Sequence, residues 1–271
     1  MKLALCNEVF ENQSWPEVIG AIAAAGYDGV EIAPFTLAES VADLTPAQRA
    51  TLRRQAEDVG LAIAGLHWLF VSPKGLHATV DDAPTRRRTT AYLQELIRFC
   101  GDLGGQVMVI GSPKQRDVRQ GVAYADAWQR FVDMIAACLD LAQARQVTLC
   151  LEALPADQTN FVTSLDEAVE MVRQVSHPRF QSMFDVHNAC HETEPLPDLL
   201  RRHLPHIRHV HVNEMDGGYP GCGDFDFCSI LRVLQEEGYD RYVSVEAFDF
   251  SPGAAHIARE SIRHLRAAMK T

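Results

Sequence analysis

The sequence predicts an α/β fold, a single (β/α)8 TIM barrel occupying residues 1–271 as one domain. Three observations lead there. Short apolar runs of β-like composition alternate with longer segments of helical period along the whole chain, the pattern of parallel strands joined by crossover helices. Eight such units can be counted, at an average period of about 34 residues that suits a barrel of this size. No glycine-rich dinucleotide loop follows the first strand, as an open doubly wound sheet would usually show.

The first unit pairs strand Lys2–Cys6 with helix Trp15–Ala25, where Ser14 precedes Trp15-Pro16 as an N-cap ahead of a helix-starting proline. Strand Gly29–Ala33 leads to helix Pro46–Asp58, with Thr45 in the same capping position. Leu61–His67 precedes helix Arg87–Leu103, and Gln106–Gly111 precedes helix Ala123–Ala144. The later units are Val147–Glu152 with Ser164–Val175, Gln181–Val186 with Leu196–His203, Ile207–Asn213 with Phe227–Glu236, and Tyr242–Ala247 with Ala254–Ala268. Three helices exit through a glycine, at Gly26, Gly60 and Gly238, which turns the chain toward the next strand.

Composition limits the function classes. Apolar residues make up 47% of the chain and no low-complexity tract interrupts it, so one large core is expected. The net charge of −11 disfavours a phosphate backbone as partner, and Arg86-Arg87-Arg88 reads as a solvated helix start. Neither a signal-peptide core nor a membrane-length apolar run is visible, and the seven cysteines include no CxxC pair. A cytoplasmic protein with reduced thiols is expected, Cys6, Cys100, Cys138 and Cys150 being small core residues.

Strand parity carries the chemistry, because alternate side chains of a barrel strand face the lumen and the helices. With Leu149, Leu151, Phe184, Val210, Val212, Val243 and Val245 facing the helices, the lumen receives Glu152, Asp185, His187, His211, Asn213 and Glu246. Glu152, Asp185, His211 and Glu246 then stand at the C-terminal ends of four consecutive strands, where barrel enzymes hold their active sites. Three carboxylates in one buried ring repel each other unless a cation joins them. Three oxygen ligands and one imidazole suit one divalent metal, with Mn2+ favoured, Mg2+ or Co2+ also accommodated and Zn2+ less so.

These residues, with Gly26-Tyr27-Asp28-Gly29-Val30-Glu31, Thr159-Asn160-Phe161, Phe184-Asp185-Val186-His187-Asn188, His209-Val210-His211-Val212-Asn213-Glu214 and Val245-Glu246, resemble the sugar isomerase/epimerase group of xylose isomerase-like TIM barrels. The likeness is nearest to the D-tagatose and D-psicose 3-epimerases and covers the whole chain. It implies that Glu152, Asp185, His211 and Glu246 bind the metal and that the two glutamates also move protons on opposite faces of the substrate. The chain departs from that family at Gly217, where those epimerases carry arginine, and at Gln158, where they carry glutamate. The histidine that follows the sixth-strand aspartate in them also sits one place later than His187 does here.

Substrate contacts are expected from His187, His67, Trp68, Lys114, Arg116, Gln158 and Asn7, with Lys114 and Arg116 placed on a loop that could read an anionic group. Glu31 is expected to support the site from behind or to face the pocket. The leading expectation is a divalent-metal-dependent isomerase or epimerase of a small keto-sugar, polyol or sugar acid, acting through a metal-stabilised enediolate. A dehydratase or decarboxylase on a keto-sugar acid is the closest alternative. An endonuclease IV-like phosphodiesterase and a non-catalytic binding module follow. The expected partner is a small carbohydrate, with no nucleic acid, no membrane, and room for a homo-oligomer.

Overall fold

In the computed structural model, which describes residues 1–270, every strand pairs in parallel with its sequence neighbours and the last closes onto the first. The strands are β1 (Lys2–Cys6), β2 (Gly29–Ile32), β3 (Ala62–Leu66), β4 (Val107–Ile110), β5 (Thr148–Leu151), β6 (Phe180–Asp185), β7 (Ile207–Val212) and β8 (Tyr242–Val245). The helices are α1 (Trp15–Ala25), α2 (Pro46–Asp58), α3 (Ala83–Leu103), α4 (Tyr124–Ala136), α5 (Leu139–Arg145), α6 (Leu165–Val175), α7 (Leu196–His203), α8 (Phe227–Glu236) and α9 (Ala254–Ala268). This is the predicted (β/α)8 barrel. None of the described helices is long and apolar enough to cross a membrane.

Local chemistry explains the boundaries. At the start of α2, Gln48 N donates to Thr45 Oγ1 at 3.3 Å and Thr45 N donates to Gln48 Oε1 at 2.8 Å, a reciprocal cap followed by Pro46. Helix α3 begins four residues before the expected Arg87, because Asp82 caps it by accepting from Thr85 N at 2.7 Å. The segment expected as one helix over Ala123–Ala144 is two. At the break, the Ala137 carbonyl accepts from Gln94 Nε2 of α3 at 3.0 Å, and Cys138 N bonds back only three residues, to Ile135 O.

The barrel wall separates two kinds of packing. Leu149, Leu151, Phe184, Val210, Val212, Val243 and Val245 all join the main core between strands and helices, as parity predicts. Val107, Val109, Cys150 and Met183 form a separate apolar cluster, and Ala4, Ala64 and Tyr242 another. Luminal parity puts both inside the barrel, where they fill the space that supports the polar residues at the strand ends.

Backbone approach inside the wall is tight at Gly65 of β3, where an added Cβ would lie 2.2 Å from Val107 O of β4. Gly20 in the middle of α1 has nothing within 4 Å of the same hypothetical atom. Gly65→Ala is therefore expected to destabilise the fold by about 3 kcal/mol or more, since backbone must move. Gly20→Ala is expected to stabilise it by about 0.5–1 kcal/mol through helix propensity. Urea unfolding of the two variants checks the contrast; equal effects would contradict this packing.

Candidate metal centre

Glu152, Asp185, His211 and Glu246 come together, each buried, with one ligand atom apiece lying within 4.8 Å of all the others. Strand register brings them there: Asp185 of β6 sits opposite His211 of β7, which sits opposite Ser244 of β8, two residues before Glu246. Glu152 follows the last residue of β5, and Arg116 ties down its carbonyl from below, with Nη1 donating to Glu152 O at 2.6 Å. Space for the Glu152 carboxylate exists because residue 111 is glycine; a Cβ there would lie 2.1 Å from Glu152 Oε2.

The electrostatics of the cluster would favour a bound cation. Burial pushes the Glu152 carboxyl up to about 8, and the neighbouring Glu246 and Asp185 charges push in the same direction. Glu246 feels the same burial, but the His211 charge and hydrogen bond outweigh it and hold this carboxyl below its ordinary value. His211 faces the carboxylates through Nδ1, 3.1 Å from Glu246 Oε2 and 3.6 Å from Asp185 Oδ2. Its other nitrogen, Nε2, lies 3.1 Å from Glu31 Oε1. Burial opposes its charge, yet these carboxylates hold metal-free His211 protonated; were a metal to displace the Nδ1 proton while Nε2 keeps its own for Glu31, the Nδ1 lone pair would be aimed into the site. Three hard oxygens and one imidazole nitrogen fit a divalent ion such as Mn2+ or Mg2+.

Glu31 is the hub beneath. It is fully buried, with His209 Nε2 at 2.6 Å, Cys6 Sγ at 3.8 Å and His67 Nδ1 at 3.7 Å. Burial would push its carboxyl up, but the charges and hydrogen bonds of His209 and His211 hold it well below its ordinary value. His67 in turn bonds Glu8 Oε2 through Nε2 at 2.8 Å. Burial opposes its protonation, yet Glu8 and the other carboxylates raise it to about 9.

Of the residues expected to touch substrate, His67, Trp68 and Gln158 line the cavity over Glu152, His211 and Glu246. Four others are placed elsewhere. His187 lies past the end of β6 with helical backbone angles, so strand parity no longer applies; its Nδ1 pairs with Met215 O at 2.8 Å. Arg116 is fully buried and spends its guanidinium on the carbonyls of Ile110, Glu152 and Val162, which makes it a structural clamp and not an anion reader. Asn7 staples the ends of β1 and β2, accepting from Ala33 N and donating to Thr36 Oγ1, both at 2.8 Å. Lys114 is exposed and, although it follows Pro113 of the lining, does not itself line the cavity.

Asn188 and Phe248 are among the cavity residues that escaped the sequence reading. Asn188 donates from Nδ2 to Glu152 Oε1 at 2.9 Å and from its backbone N to Asp185 Oδ1 at 2.7 Å, so it bridges two ligands. Its position three residues after Asp185 was the available signal, since a turn after a strand end brings that residue back toward the aspartate. Phe248, two residues past Glu246, also lines the cavity, and its ring occupies the space a side chain at Gly217 would need, 2.7 Å from a hypothetical Cβ.

Fold and site together define a (β/α)8 barrel with a candidate metal-ligand set at the strand C-termini. The chain belongs to the xylose isomerase-like TIM barrel family, whose model matches residues 19–268. It is 27% identical over 121 residues to a D-psicose 3-epimerase of Ruminiclostridium cellulolyticum, a match spanning 45% of this chain and 41% of that protein. A probable ketose 3-epimerase of Synechocystis is 22% identical over 91% of this chain and 88% of its own length. Among solved structures, a D-psicose 3-epimerase determined in the presence of D-fructose superposes with a TM-score of 0.87 at 21% identity, over 100% of both chains. These relatives are enzymes of the epimerase class that the sequence led us to expect.

Both raised groups lead to the same pH dependence. Folded and metal-free, Glu152 and His67 keep protons that the unfolded chain releases near the ordinary values of 4.5 and 6.5. Their stabilisation is complete below those values and is lost as pH climbs to about 8 and about 9. The metal-free protein should therefore melt at progressively lower temperature across that window. Added Mn2+, in displacing the Glu152 proton, should raise the melting temperature more at about pH 8 than at about pH 6. Scanning calorimetry with and without metal checks this, and pH-independent metal stabilisation would contradict it.

Proposed function

We propose that the chain is a divalent-metal-dependent isomerase or epimerase of a small keto-sugar, polyol or sugar acid, with Glu152 and Glu246 as the proton-transferring pair. The observation that carries this reading is a division of labour among the carboxylates. Glu152 and Glu246 line the cavity above the ligand set, whereas Asp185 does not and is engaged by Asn188 N and Asn213 Nδ2. A divalent ion bound here, Mn2+ by preference, would polarise a substrate carbonyl and its neighbouring hydroxyl and so acidify the C–H between them.

The chain's own residues supply the rest. One glutamate removes the proton and the other returns one, each being within reach of a carbon held over the site. Asn188 holds Glu152 in place, while Glu31 pins His211 through Nε2. The amides of Gln158 and Asn188, 3.4 Å apart, offer neutral donors and acceptors to substrate hydroxyls. Trp68 offers an indole face for a sugar ring. Seven free cysteines suit a reducing cytoplasm.

The test is incubation of the manganese-loaded protein in D2O with ketoses, aldoses and keto-sugar acids, recording product mass. Conversion with one deuteron gained, reduced roughly 10²- to 10⁴-fold by Glu246→Gln, is expected for general acid–base transfer. Unlabelled product would point to a hydride shift or an internally retained proton, and loss of water or carbon dioxide would move the assignment to a lyase. No conversion of any sugar would sink the substrate class.

A further inference from the structure

The cavity over the ligand set is small, about 40 Å3, room for roughly three water-sized positions. Beside it lies a chamber of about 630 Å3, in the range of sites that bury a whole organic ligand. Trp68 and Phe248 line both spaces, so the chamber adjoins the place where the chemistry would occur. Their rings meet edge to face, 6.5 Å apart at 83°, and Trp68 is held at φ +53°, a left-handed conformation costly for a bulky residue. Strain of this kind persists where the surroundings enforce it, and here it sets an indole at the junction of two cavities.

The chamber wall has a defined chemistry. Phe10, Phe35 and Phe250 join Trp68 and Phe248 around it, and Phe35 and Phe248 are each 40% exposed, unlike most large apolar residues of this chain. No lysine or arginine lines it, and Glu8 and Glu11 do, which makes it unsuited to a phosphate or carboxylate. Glu8 is 8% exposed and its Oε1 has no hydrogen-bond partner, although its Oε2 is held by His67. A buried acceptor left open costs free energy unless a ligand donates to it.

We propose that this chamber binds a neutral aryl substituent carried by the sugar, so that the chain acts on aryl-substituted keto-sugars in preference to free monosaccharides. The inference rests on reading the metal centre as a sugar site. The reacting carbons occupy the small cavity above Glu152 and Glu246, and the ring of the substituent lies among the phenylalanines. A hydroxyl near the junction donates to Glu8 Oε1. Flat aromatic walls favour a planar group, and the absence of a cation leaves an anionic one without a counter-charge.

Isothermal titration of the manganese-loaded full chain with phenyl β-D-glucopyranoside and methyl β-D-glucopyranoside tests this. Neither ligand has a ketone to react, so the readout is binding alone. The phenyl glycoside is expected to bind about tenfold tighter, and Phe35→Ala and Phe250→Ala are each expected to remove most of that preference. Melting curves establish that both variants fold. Equal affinities in the unsubstituted chain, no saturable binding of the phenyl glycoside, or a preference that survives both substitutions would overturn the proposal. An aryl preference without deuterium exchange on any sugar would sink the proposed reaction and leave the chamber; exchange on free ketoses without an aryl preference would do the reverse.

Discussion

Three carboxylates buried within one ligand sphere repel each other, and burial penalises every one of their charges. Much of the upper barrel is arranged around that conflict. Glu152 answers it by holding its proton to about 8, while Glu246 leans on His211. A divalent cation would resolve it for all three at once, which is why the donor set reads as a metal site and not as a chance convergence. The surrounding polar residues serve the same geometry: Glu31 fixes His211 from beneath, Asn188 spans Glu152 and Asp185, and Arg116 secures the Glu152 backbone.

The barrel makes this arrangement achievable because consecutive parallel strands deliver side chains to one rim at a fixed spacing. Beneath the rim, small and apolar luminal residues such as Ala4, Ala64 and Val109 fill the lumen, so the charged layer rests on a packed floor. Glycine appears where backbone or carboxylate must come close, at Gly65 against β4 and at Gly111 beneath Glu152. The fold thereby couples stability and function: the burial that gathers the ligands also raises Glu152 and so makes the metal-free protein sensitive to pH.

Much of this was legible in the sequence. The bounds of α1 and α2 could be read because caps, prolines and apolar period agree there, and those of α7, α8 and α9 chiefly from the apolar period. The four clustered residues were legible because period-two alternation holds to the ends of β5 through β8. It failed at His187, where the backbone leaves the strand after Asp185 and the imidazole turns toward Met215. Arg116 and Asn7 were misread for a different reason: whether a long or amide side chain faces solvent, substrate or its own backbone depends on tertiary neighbours that local pattern does not encode. The aromatic chamber was invisible for the same cause, since Phe10, Phe35, Trp68 and Phe248 come from loops far apart in the chain.

The central claim, that one divalent ion is what the buried carboxylates await, is tested most directly by titrating Mn2+ into metal-free protein in buffers of different ionisation enthalpy near neutral pH. The account predicts a stoichiometry of one ion per chain, with release of about two protons, one from the Glu152 carboxyl and one from the His211 imidazolium, and loss of that binding in Asp185→Asn. Binding without proton release, more than one tight ion per chain, or undiminished affinity in Asp185→Asn would contradict it.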